Sequence, residues 1–221
     1  MSDVDWVEVG SGVANSTPGS NVDIFLSLDG PPICENMTDA EFRRTVFKLR
    51  DDAVKLVERR VRELTRWDSS ARTRVAEWFG KRDEATRQHL IAGLTSELAV
   101  LLSLGPKNFM RSSPELDAYL GCLPNTKGVR DEVAHVCAPN ITNRVICISP
   151  KFCTLRNHNM YADSRLSTII HEVTHFIDTF GARDHMYSVS SYLAIWGRSN
   201  PGLAIENADS IAGYVTYGEE F

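Results

Sequence analysis

Between residues 42 and 64 the apolar side chains Phe42, Val46, Leu49, Ala53, Val57, Val61 and Leu64 recur at spacings of three and four. Residues so spaced share one face of an α-helix, whereas a strand would bring every second residue to one side. Thr38-Asp39-Ala40-Glu41 opens the run as a capping box, its hydroxyl and carboxylate each answering an orphan backbone N–H. The chain therefore commits about seven turns to one amphipathic helix with a charged outer face. Lys and Arg gather between residues 43 and 87 but alternate there with Asp and Glu, as on a solvated surface. With a formal net charge of −5, this pattern argues against nucleic acid as a partner.

A second helix is expected over 70–79, closed by Gly80. A third is expected over 83–104, with Leu90, Ile91, Leu94, Leu98, Leu101 and Leu102 facing inward and Gly105 capping its end. After Pro106 the character changes. The β-leaning runs 117–122, 132–137 and 144–149 lie between Pro, Asn and Gly turns and predict a small sheet or hairpin. Helical patterning returns at Ser164 and again near Pro201. Residues 1–37, rich in Gly, Ser, Asn, Asp and Pro, read as an extended arm with one strand or docking segment at 22–28.

No apolar run approaches the roughly 20 residues that span a bilayer. The start, Met-Ser-Asp-Val-Asp-Trp, lacks the basic and apolar regions of a secretory signal. Action where the chain is made, leaderless export (a delivered effector among the options) and a leader missing from this sequence all stay open. Cys34, Cys122, Cys137, Cys147 and Cys153 include no C-x-x-C pair, so no cysteine-ligated structural metal is expected. Their spacing permits bridges such as Cys122–Cys137 or Cys147–Cys153, and buried free thiols are the alternative.

His171-Glu172-Val173-Thr174-His175 is an H-E-x-x-H sequence. On a helix, His175 falls about 40° from His171, while Leu166, Ile169, Ile170, Val173, Ile177 and Phe180 cover the far side, roughly 160° to 260° away. Two imidazoles on one face with a buried face behind them suit a metal, because the backing fixes both rings in advance. A catalytic zinc needs a third protein ligand and an open position. Gly181, ending the helix, would let the chain fold back and bring up Asp184, nine residues after His175, with Tyr187 aimed at the same space. Glu206, 31 residues after His175, is a competitor and His185 a weaker one. The metzincin pattern fails, since Asp178 and Gly181 stand where it needs Gly and His.

These residues resemble the signature of the aspzincin family of deuterolysin and peptidyl-Lys metalloendopeptidases: H-E-x-x-H, then Gly181-x-x-Asp184-x-x-Tyr187, then Asn207-Ala208-Asp209-Ser210. Ala182 and Ser188 depart from it, standing where the family has Thr and Gly. The resemblance implies a zinc-dependent endopeptidase acting on protein or peptide substrates. One Zn²⁺ would be held by His171, His175 and Asp184, with Glu172 as base and Tyr187 as oxyanion donor. It also implies that Asp209 lines the pocket for the residue after the cut. Ala212 stands where strictly Lys-directed members carry a second acid, so a relaxed preference for Lys or Arg is expected. On the residues alone, Asp209 reads instead as a surface acid or a partner of a ligand histidine. Two rival readings are a gluzincin-like peptidase using Glu206 and a non-catalytic interaction protein working through the helix at 38–67. The expected fold is α+β, mainly helical and zincin-like with a small β-sheet. It comprises the arm, an N-terminal helical subdomain over 38–105 and a zinc-binding region over 106–221, the last two forming one continuous unit.

Overall fold

A computed structural model describes residues 32–122 and 132–220, so the segment at 22–28 lies outside the described residues. Three helices lead: α1 (Asp39–Arg66), α2 (Ser69–Phe79) and α3 (Glu84–Ser103). The capping box forms as expected, Thr38 N–H donating to Glu41 Oε2 (2.8 Å) and Glu41 N–H to Thr38 Oγ1 (3.2 Å). Asp68 and Asp83 cap α2 and α3 in one direction only, their carboxylates accepting from Ala71 N–H and Thr86 N–H, and Gly80 closes α2 in the left-handed region at φ 65°. Gly105 does not close α3. The helix ends on Leu104 in an extended conformation, and Gly105 is extended too because Pro106 follows it. Leu102, expected inward, is 60% exposed.

Beyond Pro106 come β1 (Phe109–Arg111), α4 (Pro114–Leu120), β2 (Ala134–Val136) and β3 (Ile146–Ile148). The strands form one sheet in the order β1-β3-β2, with β1 parallel and β2 antiparallel to β3. Two of the expected runs hold strands, but 117–122 does not. Ser113 caps a helix there (Leu116 N–H to Oγ, 3.1 Å), Pro114 sits at its first position and Gly121 ends it at φ 80°. Such caps override the β preference of a few residues. The third strand is instead β1, too short to show a period of two.

The remaining helices are α5 (Arg165–Thr174), α6 (Ser191–Ser199), α7 (Pro201–Ala204) and α8 (Ala208–Thr216), of which α6 gave no sequence signal. A single buried cluster runs from Phe42, Val46 and Leu49 of α1 through Leu90 and Leu94 of α3 to Ile170 of α5 and Ile211 of α8. α6 lies so close to α2 that a Cβ on Gly197 would stand 2.1 Å from the Trp78 carbonyl oxygen, so only glycine fits. The C-terminal carbonyls of α8 are held by arginines of the leading helices. Arg74 donates to Tyr214 O (2.8 Å) and Tyr217 O (2.7 Å), and buried Arg60 to Tyr214 O and Val215 O. Two disulfides form, Cys34–Cys153 and the anticipated Cys122–Cys137, and the alternative Cys147–Cys153 bridge does not. Cys147 stays a buried thiol on β3, opposite His135 of β2. Among the described residues no helix is long and apolar enough to cross a membrane.

Candidate metal centre

α5 carries the H-E-x-x-H residues because its back is apolar: Leu166, Ile169, Ile170 and Val173 are each at most 1% exposed. Ser164 caps its start, accepting from Ser167 N–H at 3.1 Å. The helix stops at Thr174, earlier than its periodicity suggests. His175 is the C-cap, and Ile177, which the extended helix would bury, is 61% exposed. Gly181 (φ 57°) therefore does not end α5; it turns the chain after an irregular stretch, donating to Phe176 O (3.1 Å). Ala182 N–H then reaches Thr174 O (3.0 Å), folding the chain back across the end of α5.

That return fixes the second histidine. The Ala182 carbonyl can only accept, so His175 Nδ1 carries the proton of their 2.8 Å hydrogen bond and Nε2 keeps its lone pair. Asp209 Oδ1 does the same for His171, 2.6 Å from Nδ1. The two Nε2 atoms face each other at 3.0 Å, and Asp184 Oδ1 lies 3.3 Å from one and 3.5 Å from the other. Two imidazole nitrogens and a carboxylate oxygen this close need a proton shared between them or a metal cation in their midst. A tetrahedral zinc with bonds of about 2.0–2.1 Å sets its ligand atoms about 3.3 Å apart, so this triangle fits the ion.

Beside it stands Glu172, 3% exposed, with Oε2 buried and unpartnered. Burial raises its pKa, while His171 and His175 pull it back. Burial also opposes a charge on His171, but the hydrogen bond and charge of Asp209 outweigh it and push that pKa up to about 9. Tyr187 is 65% exposed, and its hydroxyl lies close to Asp184. Partial burial, then the Asp184 charge, raises its pKa. The structure thus brings His171, Glu172, His175, Asp184 and Tyr187 to one place. Glu206 and His185 are exposed, and the Glu206 carbonyl serves the loop by accepting from Arg183 N–H (2.8 Å).

The loop bearing Asp184 is clamped by the start of α8. Buried Asn207 accepts from His185 N–H (2.7 Å) and Met186 N–H (3.0 Å) through Oδ1 and donates to Met186 O (3.0 Å). Asp209, 8% exposed, spends its second oxygen on Ser188 N–H (2.7 Å), and Asp163 accepts from Val189 N–H (2.7 Å). Both oxygens of Asp209 are therefore engaged inside the protein, as in its reading as a partner of a histidine. Asn207 entered the sequence reading only as a member of the downstream motif, with no role, and Asp163 did not enter it.

A helix with paired histidines, backed by the core and faced by a returning acidic loop, places the fold among zinc peptidases. The chain is similar to the zinc peptidase from Grifola frondosa, with a TM-score of 0.60 over 80% of this chain and 95% of that one, at 17% identity. The aspzincin family model, described as lysine-specific metallo-endopeptidase, matches residues 64–216, and the chain belongs to that family. The Pleurotus ostreatus peptidyl-Lys metalloendopeptidase is 48% identical over 48 residues, 22% of this chain and 28% of that protein's length.

Proposed function

We propose that this chain is a zinc-dependent endopeptidase in which His171, His175 and Asp184 hold one Zn²⁺ and Glu172 is the catalytic base. The observation that carries the reading is the convergence of two imidazole nitrogens and one carboxylate oxygen beside a buried, unpartnered Glu172 carboxylate. A zinc ion held by these residues would acidify water and polarise a carbonyl. Glu172 takes the proton of the attacking water and passes it to the leaving amine, burial having brought its pKa closer to neutrality. Tyr187, exposed at the mouth of the site, donates to the carbonyl oxygen as it gains charge, a contribution of about 3 kcal/mol for donors of this kind. Asp209 orients His171.

The substrates are proteins or peptides, with a preference for Lys supported by the family's description and the relative's name; its extension to Arg and its place after the cut rest on the motif resemblance alone. Two disulfides support work in oxidising surroundings, outside a reducing cytosol. Thiol titration after unfolding without reductant checks that: one free thiol agrees and five would refute it. For the activity, Glu172→Gln should keep its zinc and lose peptidase turnover by about 100-fold or more. Asp184→Ala should lose zinc where Glu206→Ala keeps it. An active Glu172→Gln enzyme would sink the mechanism.

A further inference from the structure

A second group of metal-capable side chains lies outside the site just described. Asp117 of α4, His135 of β2 and Cys147 of β3 each bring one ligand atom to within 4.8 Å of the other two. His135 and Cys147 are cross-strand partners, so the sheet register itself holds imidazole and thiol on one side. Asp117 Oδ1 stands 2.8 Å from His135 Nε2, and Glu132 Oε2 stands 3.1 Å from His135 Nδ1. Cys147 is 0% and Asp117 7% exposed. Two carboxylates and a thiol thus surround one imidazole: Asp117 from α4, Cys147 from β3 and Glu132 from just ahead of β2.

We propose that Asp117, His135 and Cys147 form a second zinc site with three protein ligands, Glu132 standing at ion-pair distance from the far nitrogen of the imidazole. The donors select the metal. A thiolate and an imidazole suit zinc and disfavour calcium or magnesium, which take oxygen ligands. A carboxylate beside the far nitrogen of a ligating histidine helps fix its ring; Asp209 does so for His171 by a 2.6 Å hydrogen bond, and Glu132 lies at an ion-pair distance of 3.1 Å from His135 Nδ1. Charge balances as well: two carboxylates and a thiolate around a divalent cation leave one negative charge instead of three. The ion would tie α4 to β2 and β3, and β2 is the edge strand packed against α5. The reading that no cysteine ligates a metal rested on the lack of a C-x-x-C pair, and here the ligands come from separate elements instead.

In a metal-free cluster the same anions gather a proton. Burial opposes it, but the contacts with Cys147, Glu132 and Asp117 outweigh burial and push His135 up to about 11. An imidazolium cluster that takes no metal is therefore the rival, and the two differ in sulfur ligation. The full chain should be loaded with zinc, desalted and measured for metal content and zinc K-edge absorption fine structure. His171→Ala/His175→Ala, which removes the site proposed above, should retain one zinc with a sulfur neighbour at about 2.3 Å. Adding Cys147→Ser to that variant should abolish the remaining zinc, and Asp117→Asn should weaken its retention. These readouts need no peptidase activity, so they stand or fall apart from the proposed function. Wild type carrying one zinc with only nitrogen and oxygen neighbours, all of it lost in His171→Ala/His175→Ala, overturns the proposal whether or not the Cys147 variant folds.

Discussion

Ser188 occupies the left-handed region at φ 75°, where a side chain costs roughly 1–2 kcal/mol. The family pattern has glycine here, and the structure shows what holds serine in place. Its N–H donates to the ionisable Asp209 at 2.7 Å, and its hydroxyl is near enough to Asp163 to favour that group's ionised form. Ser188→Gly relieves the strain but adds freedom to the unfolded chain, about 0.4–1 kcal/mol. The net expectation is a gain of up to about 1 kcal/mol in denaturant unfolding; a clear loss would mean that the hydroxyl contact outweighs the strain. Asp209 supports a second prediction. Because its carboxylate is shared between His171 and Ser188, Asp209→Asn should bind zinc about 10–100-fold more weakly, as measured by competition with a chelator. At saturating zinc its cleavage sites in a protein digest should match wild type. A changed site preference at undiminished zinc affinity would instead return Asp209 to the substrate pocket.

Elements were legible where their signal is local. The stripe and capping box of α1, the Gly80 close of α2 and the face of α5 are each set by nearby residues, and each formed. Where α5 stops was not legible, since Ile177 and Phe180 keep its period while the fold-back through Gly181 takes their backbone elsewhere. The same holds for β1, whose three residues acquire meaning through pairing with β3, and for the Cys34–Cys153 bridge, 119 residues apart. His171, Glu172 and His175 were readable from one turn of helix, Asp184 and Tyr187 only by analogy, and Asn207 hardly at all. The disulfides permit a ranking. In the chain-entropy account, closing 15 residues is worth about 3 kcal/mol and closing more than 100 nearer 5. Cys34→Ser/Cys153→Ser should therefore lower the unfolding free energy more than Cys122→Ser/Cys137→Ser. The reverse order would place the larger contribution in how Cys122–Cys137 ties α4 to β2.

At the scale of the whole molecule one core joins the leading helices to the metal centre, so a local penalty in that core weighs on a single cooperative transition. Glu97 of α3 carries such a penalty. It is 0% exposed, neither carboxylate oxygen has a hydrogen-bond partner, and burial lifts its pKa well above 4.5. The folded chain therefore keeps a proton that the unfolded chain releases above about pH 4.5. Stability linked to Glu97 is fully present below that pH and declines as pH rises, by up to about 1.4 kcal/mol per unit until the folded pKa is reached. Glu97→Leu removes the titration while filling similar volume. Its stability advantage over wild type should be small near pH 4.5 and grow toward pH 8, read from denaturant midpoints of both chains in matched buffers. Taking the difference between the two chains cancels the pH dependence of zinc binding, which they share. An advantage that stayed constant over this range would show that Glu97 holds the same proton count folded and unfolded, which neither its burial nor its unpartnered oxygens would then explain.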